Sequence, residues 1–299
     1  MGGAHIPVML EETVGLLAVK PGGRYIDGTF GRGGHARAIA SAGGEVLGID
    51  RDDEAVASAG EIRVVKGNHG DIREIAAKEG WDEVDGILLD LGVSSPQLDE
   101  AGRGFSFMRE GPLDMRMDGA CGQSAADLVN GESAERLEEI FRVLGEEPQS
   151  RRIARAIVRE RDPRPFLTTS DLADFIERLT GRRGAHHPAT RVFQALRMAV
   201  NDEVGELERA LEGGLGILAP GGRFAVITFE SVTDRTAKRF FAAHAGREVS
   251  LQQGGTRWEG ELPRTANVTR RAARASAEEV RRNPRSRSAK LRVAERIRT

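Results

Sequence analysis

The segment from Arg24 to His35 constrains the fold most, because it joins a short apolar run to a glycine-rich turn. The run Tyr25–Asp27 ends in an acid, and glycines follow at positions 28, 31, 33 and 34. Glycine has no Cβ, so the backbone of such a turn can come close to a bound ligand. Asp50 ends the next apolar run, where a carboxylate can bind both hydroxyls of a ribose. Together these features predict a domain that binds a nucleotide-type cofactor.

Apolar runs alternate with helical stretches along the N-terminal part of the chain. A leading helix is predicted at Val8–Leu17, before the break at Pro21-Gly22-Gly23. The strand-like runs are Tyr25–Asp27, Val46–Asp50, Ile62–Lys66 and Ile87–Leu91, and the helical stretches between them are His35–Ser41, Glu54–Ala59 and Asp71–Glu79. Alternation at this spacing predicts an α/β fold, a Rossmann-type parallel sheet with helices on both faces.

The alternation stops after Leu91, and the next comparable strand, Arg223–Phe229, follows a turn at 219–222. A crossover between parallel strands needs far fewer residues than lie in this gap, and the apolar residues within it recur at helical spacing. A long helix from about Ala189 to Leu211 would lead back to the sheet. We therefore expect a discontinuous sheet domain, residues 1–105 and 206–299, interrupted by an inserted helical domain at 106–205. Glu248–Gln252 and Leu291–Ile297 are candidate last strands.

Charge is unevenly distributed although the formal net charge is only −2. Residues 270–299 hold eleven arginines and lysines against three glutamates, and residues 151–200 hold eleven arginines against five acids. Such clusters suit a polyanionic partner, and an arginine-rich solvated surface explains them equally well.

Cys121 is the single cysteine of the chain. One cysteine excludes a disulfide framework and a cysteine-rich zinc site, which indicates a reducing compartment, the cytoplasm by default. The sequence has no apolar stretch of membrane-spanning length and no export signal at its start. We expect a protein that neither crosses a membrane nor is exported.

Two cofactors fit the glycine turn. Its glycines depart from the GxGxxG pattern of dinucleotide enzymes. Asp27 precedes the turn, where a carboxylate can meet the positively charged amino-acid end of S-adenosylmethionine but would be unfavourable beside a pyrophosphate. The turn therefore favours S-adenosylmethionine over a nicotinamide dinucleotide.

The fourth strand ends in a polar loop, Asp90–Gln97, at the edge where open α/β sheets bind ligands. Asp90, with the Ser94-Ser95-Pro96 segment, can offer hydrogen-bond acceptors to an exocyclic amine. Asp90 is therefore the candidate catalytic residue, and a helix cap or turn carboxylate is the alternative interpretation.

Six segments together resemble one family. They are HIPVMLEE at 5–12, DGTFGRGGH at 27–35, DGILLDLGVSSPQLD at 85–99, RGFSFMREGPLDMRMD at 103–118, HPATRVFQALRMAVNDE at 187–203 and NPRSRSAKLRVAER at 283–296. In order and spacing they resemble the bacterial small-subunit ribosomal RNA cytosine-N4 methyltransferases, the family called RNA small-subunit methyltransferase H. The resemblance implies a methyltransferase domain interrupted by a helical domain that helps to recognise the substrate.

The implied reaction transfers a methyl group from S-adenosylmethionine to N4 of one cytidine, position 1402, in the decoding region of 16S rRNA. The implied cofactor residues are Gly33, Gly34, His35, Asp50, His69, Asp90 and Gln97, to which the turn itself adds Asp27 and Gly31. No metal is required, and His186-His187 is not a ligand set. The substrate could be naked rRNA or the small ribosomal subunit, and the protein could be a monomer or a homodimer.

The chain departs from the family pattern at two positions. His69 stands where the family usually has phenylalanine, and Glu230 stands where the family segment close to SFHSLEDR has histidine. These departures leave open a second function, a non-catalytic assembly factor that binds rRNA and retains only the methyltransferase fold. A nicotinamide-dependent oxidoreductase and a small-molecule methyltransferase are further alternatives.

Arginines and aromatic residues beyond the polar loop are candidates for RNA binding, because arginines contact phosphates and aromatic rings stack on unpaired bases. The candidates are Arg103, Phe105, Phe107, Arg109, Arg116, Arg191, Arg285, Arg287 and Lys290. Apolar packing is the alternative for the phenylalanines, and ordinary sheet-edge charge is the alternative for the C-terminal group.

Overall fold

A computed structural model describes residues 6–93, 95–119, 122–182, 187–250, 255–259 and 264–297. The chain divides into two compact units. One, the sheet unit, contains the residues up to Gly92 and those from Val204 onward, and the other, the helical unit, is Val93–Glu203. The first division lies before residue 105 because Val93, Leu98 and Phe105 pack in the core of the helical unit.

The described part of the sheet unit contains ten strands. They are β1 (Arg24–Asp27), β2 (Glu45–Asp50), β3 (Arg63–Lys66), β4 (Val84–Asp90), β5 (Leu218–Thr228), β6 (Arg247–Ser250), β7 (Thr256–Glu259), β8 (Thr265–Asn267), β9 (Ala273–Arg274) and β10 (Lys290–Arg296). The main sheet has the order β3-β2-β1-β4-β5-β10-β8, with β9 also paired to β10, and β6 pairs with β7 separately. Strands β1 to β5 are mutually parallel, whereas β10 is antiparallel to β5. The α/β prediction is confirmed.

Both faces of the main sheet are buried, as a parallel sheet requires. Ile87 and Leu89 of β4 pack in one apolar cluster, and the intervening Leu88 packs in another on the opposite face. This alternation follows from the twofold periodicity of a strand. Because β1 to β4 are parallel, their carboxyl ends lie at one edge of the sheet.

The helices of the sheet unit cover these faces. They are α1 (Leu10–Leu17), α2 (Gly34–Ser41), α3 (Asp53–Ala57), α4 (Ile72–Lys78), α11 (Glu203–Ile217), α12 (Ser231–Ala245) and α13 (Ala277–Arg282), and the helical unit contains α5 (Ser95–Asp99), α6 (Ala125–Gly131), α7 (Ala134–Val143), α8 (Ser150–Arg161), α9 (Thr169–Thr180) and α10 (Thr190–Val200). In the part of the chain that the structure describes, no helix is both long and apolar enough to cross a membrane.

The helical unit forms where the sequence places apolar stripes. In α7, Leu137, Ile140 and Phe141 are buried on one face, as their spacing predicts. Ser124 and Asp127 form a capping box that starts α6, each side chain accepting the backbone N–H of the other residue. The capping box is a local signal that fixes where α6 begins.

The long helix expected from Ala189 to Leu211 is wrong, because the chain forms α10 and α11 separated by a break. Asp202 adopts a left-handed φ of 46° at this break. The amide of Asn201 accepts the N–H of Met117 at 2.9 Å and donates to the carbonyl of Met115 at 2.8 Å. These contacts with a distant loop favour a break over a continuous helix.

The turn expected at 219–222 lies within the bounds of β5, where these four residues have no partner in β4. Val84 pairs with Leu218 and Gly86 pairs with Arg223, so β5 accommodates the extra residues as a bulge. Gly221, with a φ of 81°, supplies the left-handed conformation. The candidate last strands correspond to β6 and β10, although residues 251 and 252 lie outside the described residues.

Candidate functional site

Three aspartates end neighbouring strands at one edge of the main sheet. Asp27 ends β1, Asp50 ends β2 and Asp90 ends β4, and β1 lies between the other two strands. Ligands of open parallel sheets bind at this edge. The fold therefore brings together the three acids that the sequence singles out.

The glycine turn between β1 and α2 is anchored to both adjacent strands. Gly28 donates its N–H to the carbonyl of Leu88 at 2.9 Å, and Phe30 donates to that of Ile49 at 3.0 Å. Gly33 has a φ of 70°, and a Cβ there would lie 2.5 Å from the ring of Phe30. Both conditions require glycine at this position.

Gly31 and Gly34 differ in their surroundings. A Cβ on Gly34 would collide with the ring of Pro7, so this glycine is needed for packing. A Cβ on Gly31 would have the carbonyl oxygen of Thr29 as its nearest neighbour among the described residues, at 3.9 Å. The turn is therefore open at Gly31, where a ligand can approach the backbone.

Asp50 faces this open part of the turn. Its Oδ2 accepts the N–H of Gly31 at 2.7 Å, and its Oδ1 accepts the N–H of Asp52 at 2.9 Å. Burial raises the pKa of Asp50 above its ordinary value. Each carboxylate oxygen can accept a second hydrogen bond, which suits a pair of vicinal hydroxyls.

Asp27 is almost fully buried, with a relative exposure of 1%. Burial, together with the charge of Asp50, raises the pKa of Asp27 to about 7, although hydrogen bonds from the backbone N–H groups of Thr29 and Ala36 oppose this shift. An ammonium group placed beside it would favour the ionised carboxylate. Asp27 can thus bind a cationic end of a ligand in a buried site.

Asp90 has two carboxylate oxygens in different surroundings. Its Oδ1 is buried and has no hydrogen-bond partner among the described residues, and its Oδ2 lies 3.7 Å from Nδ1 of His35. Burial, followed by the charge of Asp27, raises the pKa of Asp90 to about 8. The Asp90 backbone N–H donates to Thr29 Oγ1 at 2.6 Å, which fixes the strand end against the glycine turn.

His35 is buried in the first turn of α2, and its Nε2 lies 3.0 Å from the carbonyl oxygen of Val8. Neither the Val8 contact nor the Asp90 contact could be read from the sequence, because the glycine motif indicates only a ligand loop. Thr29 and Val8 are likewise site residues that the sequence did not single out.

His69 is buried in a short 3-10 turn after β3, beside the glycine turn. A Cβ on Gly28 would lie 3.4 Å from the Cβ of His69. Burial, with the charges of Arg51 and Arg209, lowers the pKa of His69 to about 3, so the imidazole is neutral. Its Nε2 is buried without a hydrogen-bond partner in the described chain, which leaves a polar atom able to contact a ligand.

Glu230 occupies the N-cap position of α12, after β5. Its carbonyl accepts the N–H of Asp234 at 3.2 Å. The carboxylate of Asp234 in turn binds Lys290 at 3.1 Å and Arg292 at 2.7 Å. This second departure from the family pattern therefore lies in a backbone conformation that starts a helix.

The polar loop after β4 belongs to the helical unit beyond Gly92. Gln97 lies in α5 with its side chain buried. Ser95 and Pro96 form the start of α5, and Ser94 lies outside the described residues. The involvement of this loop in the site stays a prediction.

The RNA-binding candidates in the helical unit divide into packed and exposed side chains. Phe105 is buried in the helical core, which fits the packing alternative, and Phe107 packs against Phe193 with ring centroids 4.8 Å apart. Arg103 donates to the carbonyl of Met117 at 2.9 Å. Arg116 binds Asp114 with two hydrogen bonds, at 2.9 and 2.7 Å.

Arg109 and Arg191 are exposed and donate to single backbone carbonyls. In the sheet unit, Arg285 and Arg287 are exposed, whereas Lys290 is held by its ion pair with Asp234. An exposed guanidinium of this kind can contact an anionic partner such as a phosphate.

No group of three or more histidine, cysteine, aspartate or glutamate side chains arranged to hold a metal ion occurs among the described residues. His186 and Cys121 lie outside them.

Comparison with known proteins gives one family across the chain. Residues 3–297 match the model of the MraW methylase family. The ribosomal RNA small subunit methyltransferase H of Shewanella denitrificans is 46% identical to this chain over 98% of both proteins. The protein of the same name from a Methylobacterium species is 49% identical over 99% of this chain and 91% of its own length. The resemblance stated from the sequence is confirmed.

Among solved structures, an rRNA methylase from Streptococcus thermophilus aligns over 99% of this chain and all of its own, with 9% identity and a TM-score of 0.42. The match of residues 3–297 to the MraW methylase family confirms S-adenosylmethionine, rather than a nicotinamide dinucleotide, as the cofactor.

Proposed function

This chain belongs to the MraW methylase family, and from that premise we propose that it methylates N4 of a cytidine in 16S rRNA. By family resemblance the nucleotide is position 1402 in the decoding region. The names of the curated relatives support ribosomal RNA of the small subunit as the substrate. The cytoplasm is the expected location, since the substrate is there.

The observation that carries the proposal is the set of three aspartates around an open glycine turn. Asp50 has the acceptor geometry for ribose hydroxyls, and Asp27 can bind the ammonium group of S-adenosylmethionine. The open backbone at Gly31 can provide a further contact, as can the buried Nε2 of His69, which has no hydrogen-bond partner among the described residues. These residues fit the cofactor by charge and by space.

S-adenosylmethionine supplies a methyl group bonded to a sulfonium, so the protein's tasks are alignment and exclusion of water. Cytosine N4 is a weak nucleophile because its lone pair is delocalised into the ring. An acceptor that binds the amine hydrogens as the nitrogen becomes pyramidal would stabilise the transition state more than the ground state. We assign this role to Asp90, whose buried Oδ1 is available for it.

We propose that the helical unit, Val93–Glu203, recognises the RNA. Arg109 and Arg191 are its exposed candidates, and Arg285 and Arg287 are those of the sheet unit. Contacts of arginine with phosphates position an RNA without reading its sequence, and the selected base must leave its stack to reach the sheet edge. The inserted unit would then set which nucleotide is presented.

The test is transfer of a labelled methyl group from S-adenosylmethionine into small ribosomal subunits that lack the modification, with naked 16S rRNA in parallel. Mass spectrometry of nuclease fragments locates the product. N4-methylcytidine at the decoding-region position is the expected result. Binding of both RNA substrates without any labelling would instead favour the assembly-factor function. The first variants to test would then be His69→Phe and Glu230→His, which restore the family residues.

A further inference from the structure

The contacts of His35 determine where its ring carries hydrogen. Nε2 lies 3.0 Å from the carbonyl oxygen of Val8, and a carbonyl oxygen can only accept a hydrogen bond. Nε2 therefore carries a hydrogen, and in the neutral ring Nδ1 is an acceptor. Nδ1 is the ring atom that faces Oδ2 of Asp90.

The Val8 carbonyl is itself held by the C-terminal part of the chain. The N–H of the next residue, Met9, donates to Oε1 of Glu279 at 2.6 Å across 270 residues of sequence, and this bond is buried. Asn283 donates to the carbonyl of Ile6 at 3.1 Å. Met9 has a left-handed φ of 52°, a conformation that its surroundings must stabilise. The orientation of the His35 ring is thus fixed from a distant segment.

The two oxygens of Asp90 have separate surroundings. Oδ2 faces His35, and Oδ1 is buried with no partner among the described residues. The raised pKa of Asp90, about 8, means that the free protein carries a proton on this carboxyl at neutral pH. A proton on Oδ2 would point at the acceptor Nδ1, while Oδ1 would remain available to a substrate.

We propose that His35 acts through Asp90 as a positioning residue and takes up the proton that the substrate amine loses during methyl transfer. This inference rests on the proposed function. As the amine nitrogen bonds to the methyl carbon and the carbon–sulfur bond breaks, the amine proton moves to Oδ1 of Asp90. The proton on Oδ2 moves to Nδ1 of His35. The electron pair of the broken bond stays on sulfur, so the positive charge passes from the sulfonium to the imidazolium.

The separation of 3.7 Å between Nδ1 and Oδ2 is longer than a hydrogen bond. Catalytic contacts are often this long in the free enzyme and shorten when the substrates bind. Binding of the substrates is then what completes the path for the proton.

Other acids lie at the same sheet edge as Asp90. Asp27 ends β1 and Asp50 ends β2, and ionised carboxylates near an imidazole stabilise its protonated form. Glu230, after β5, is a further acid at the same edge. His69 is neutral, since its pKa is lowered to about 3, so it adds no competing cation.

The variant His35→Gln tests the proposal, because a glutamine amide can still donate to the Val8 carbonyl but offers no basic atom to Asp90. We expect kcat to fall about 100-fold, the usual scale of acid–base catalysis, with the KM for S-adenosylmethionine changed less than about threefold. The pH–rate profile should also change shape. His244→Gln is the matched control, since the His244 side chain lies in α12, where its Nδ1 is 2.9 Å from the carbonyl oxygen of Phe240. A wild-type kcat and pH profile for His35→Gln would overturn the proposal.

A measurement on the free protein separates this inference from the proposed function. Long-range nitrogen–proton NMR spectra of protein labelled with 15N-histidine report the tautomer of each ring, and the His35 signals are assigned by their loss in His35→Gln. We expect hydrogen on Nε2 alone, and Asp90→Asn should shift the Nδ1 signal. Hydrogen on Nδ1 in the wild type would contradict the proposal even if methyl transfer is confirmed. If the wild type methylates no RNA, the proposed function fails and the proton path fails with it, whatever the tautomer.

Discussion

The edge of the main sheet and the helical unit hold their acidic side chains in opposite ways. At the sheet edge, burial raises the pKa values of Asp27 and Asp90 to about 7 and about 8. In the helical unit, hydrogen bonds from Arg116 hold the pKa of Asp114 below its ordinary value. Acids of the first kind cost stability and are typical of functional sites, whereas those of the second kind stabilise a fold. The comparison separates residues that serve chemistry from residues that serve structure.

The largest effect should come from Asp50→Ala, which removes the acceptors proposed for the ribose. Each hydrogen bond to a charged group contributes roughly 1.5–3 kcal/mol, so the Kd for S-adenosylhomocysteine should rise about 100-fold or more. Isothermal titration calorimetry measures it. Asp114→Ala is the control in the helical unit and should leave the Kd unchanged. An unchanged Kd in Asp50→Ala would show that the cofactor does not bind beside the glycine turn.

The sign of the pH dependence of stability should differ between the two regions. Below about pH 4 the Asp90 carboxyl is protonated in both the folded and the unfolded protein. Between about pH 4 and 8 it is ionised in the unfolded chain but stays protonated in the folded protein. Stability therefore falls as the pH rises. Asp90→Asn should raise the free energy of unfolding at pH 8.5 by on the order of 5 kcal/mol and leave it nearly unchanged at pH 4.

Asp114 gives the opposite case. Its lowered pKa stabilises the folded state above the unfolded value, and this contribution is lost as the pH falls through the folded value. Asp114→Asn should lower stability at pH 7, by less than about 1 kcal/mol because the pair is partly exposed. Thermal unfolding curves of both variants at pH 4, 7 and 8.5 test the contrast, which fails if both variants shift in the same direction at pH 8.5.

Glu279 should connect the C-terminal segment to the site. Glu279→Ala leaves the buried N–H of Met9 without its acceptor and should destabilise the protein by about 1–3 kcal/mol. Glu279→Gln keeps an acceptor oxygen, so it should destabilise the protein much less than Glu279→Ala. Chemical denaturation compares the two variants, and equal losses in both would show that the hydrogen bond to Met9 does not hold the N-terminal segment.

The smallest effects concern the arginines. Arg109→Ala should weaken binding to 16S rRNA by about threefold and reduce its dependence on salt, since a phosphate contact releases counterions. Arg116→Ala should affect RNA binding less, because Asp114 already pairs with Arg116. Filter binding at two salt concentrations measures both. A larger loss of RNA affinity in Arg116→Ala than in Arg109→Ala would show that exposure does not identify the arginines that bind RNA.

The sequence predicts the parts of the site that depend on local pattern. Asp27, Asp50 and Asp90 meet because each ends a strand of one parallel sheet, and strand ends can be read from apolar runs. The burial of Phe105 could not be read in this way, since a phenylalanine between arginines fits stacking on RNA as well as packing.

Contacts between distant residues account for what the sequence misses. The break at Asp202 is accompanied by hydrogen bonds from Asn201 to a loop more than eighty positions earlier, at Met115 and Met117. The hydrogen bond between Glu279 and Met9 spans 270 residues of sequence. No local sequence pattern predicts this contact or those of Asn201. Propensity and periodicity describe neighbours along the chain, so tertiary hydrogen bonds of this kind lie beyond them.

The central claim is that Asp90 stands at the reacting amine, and single-turnover methyl transfer by Asp90→Asn tests it most directly. The variant and the wild type are each mixed in excess with small ribosomal subunits and S-adenosylmethionine, and N4-methylcytidine is followed by mass spectrometry. We predict that Asp90→Asn binds both substrates within about threefold of the wild type, while its rate of methyl transfer falls at least about 100-fold. A wild-type rate in Asp90→Asn would contradict the account.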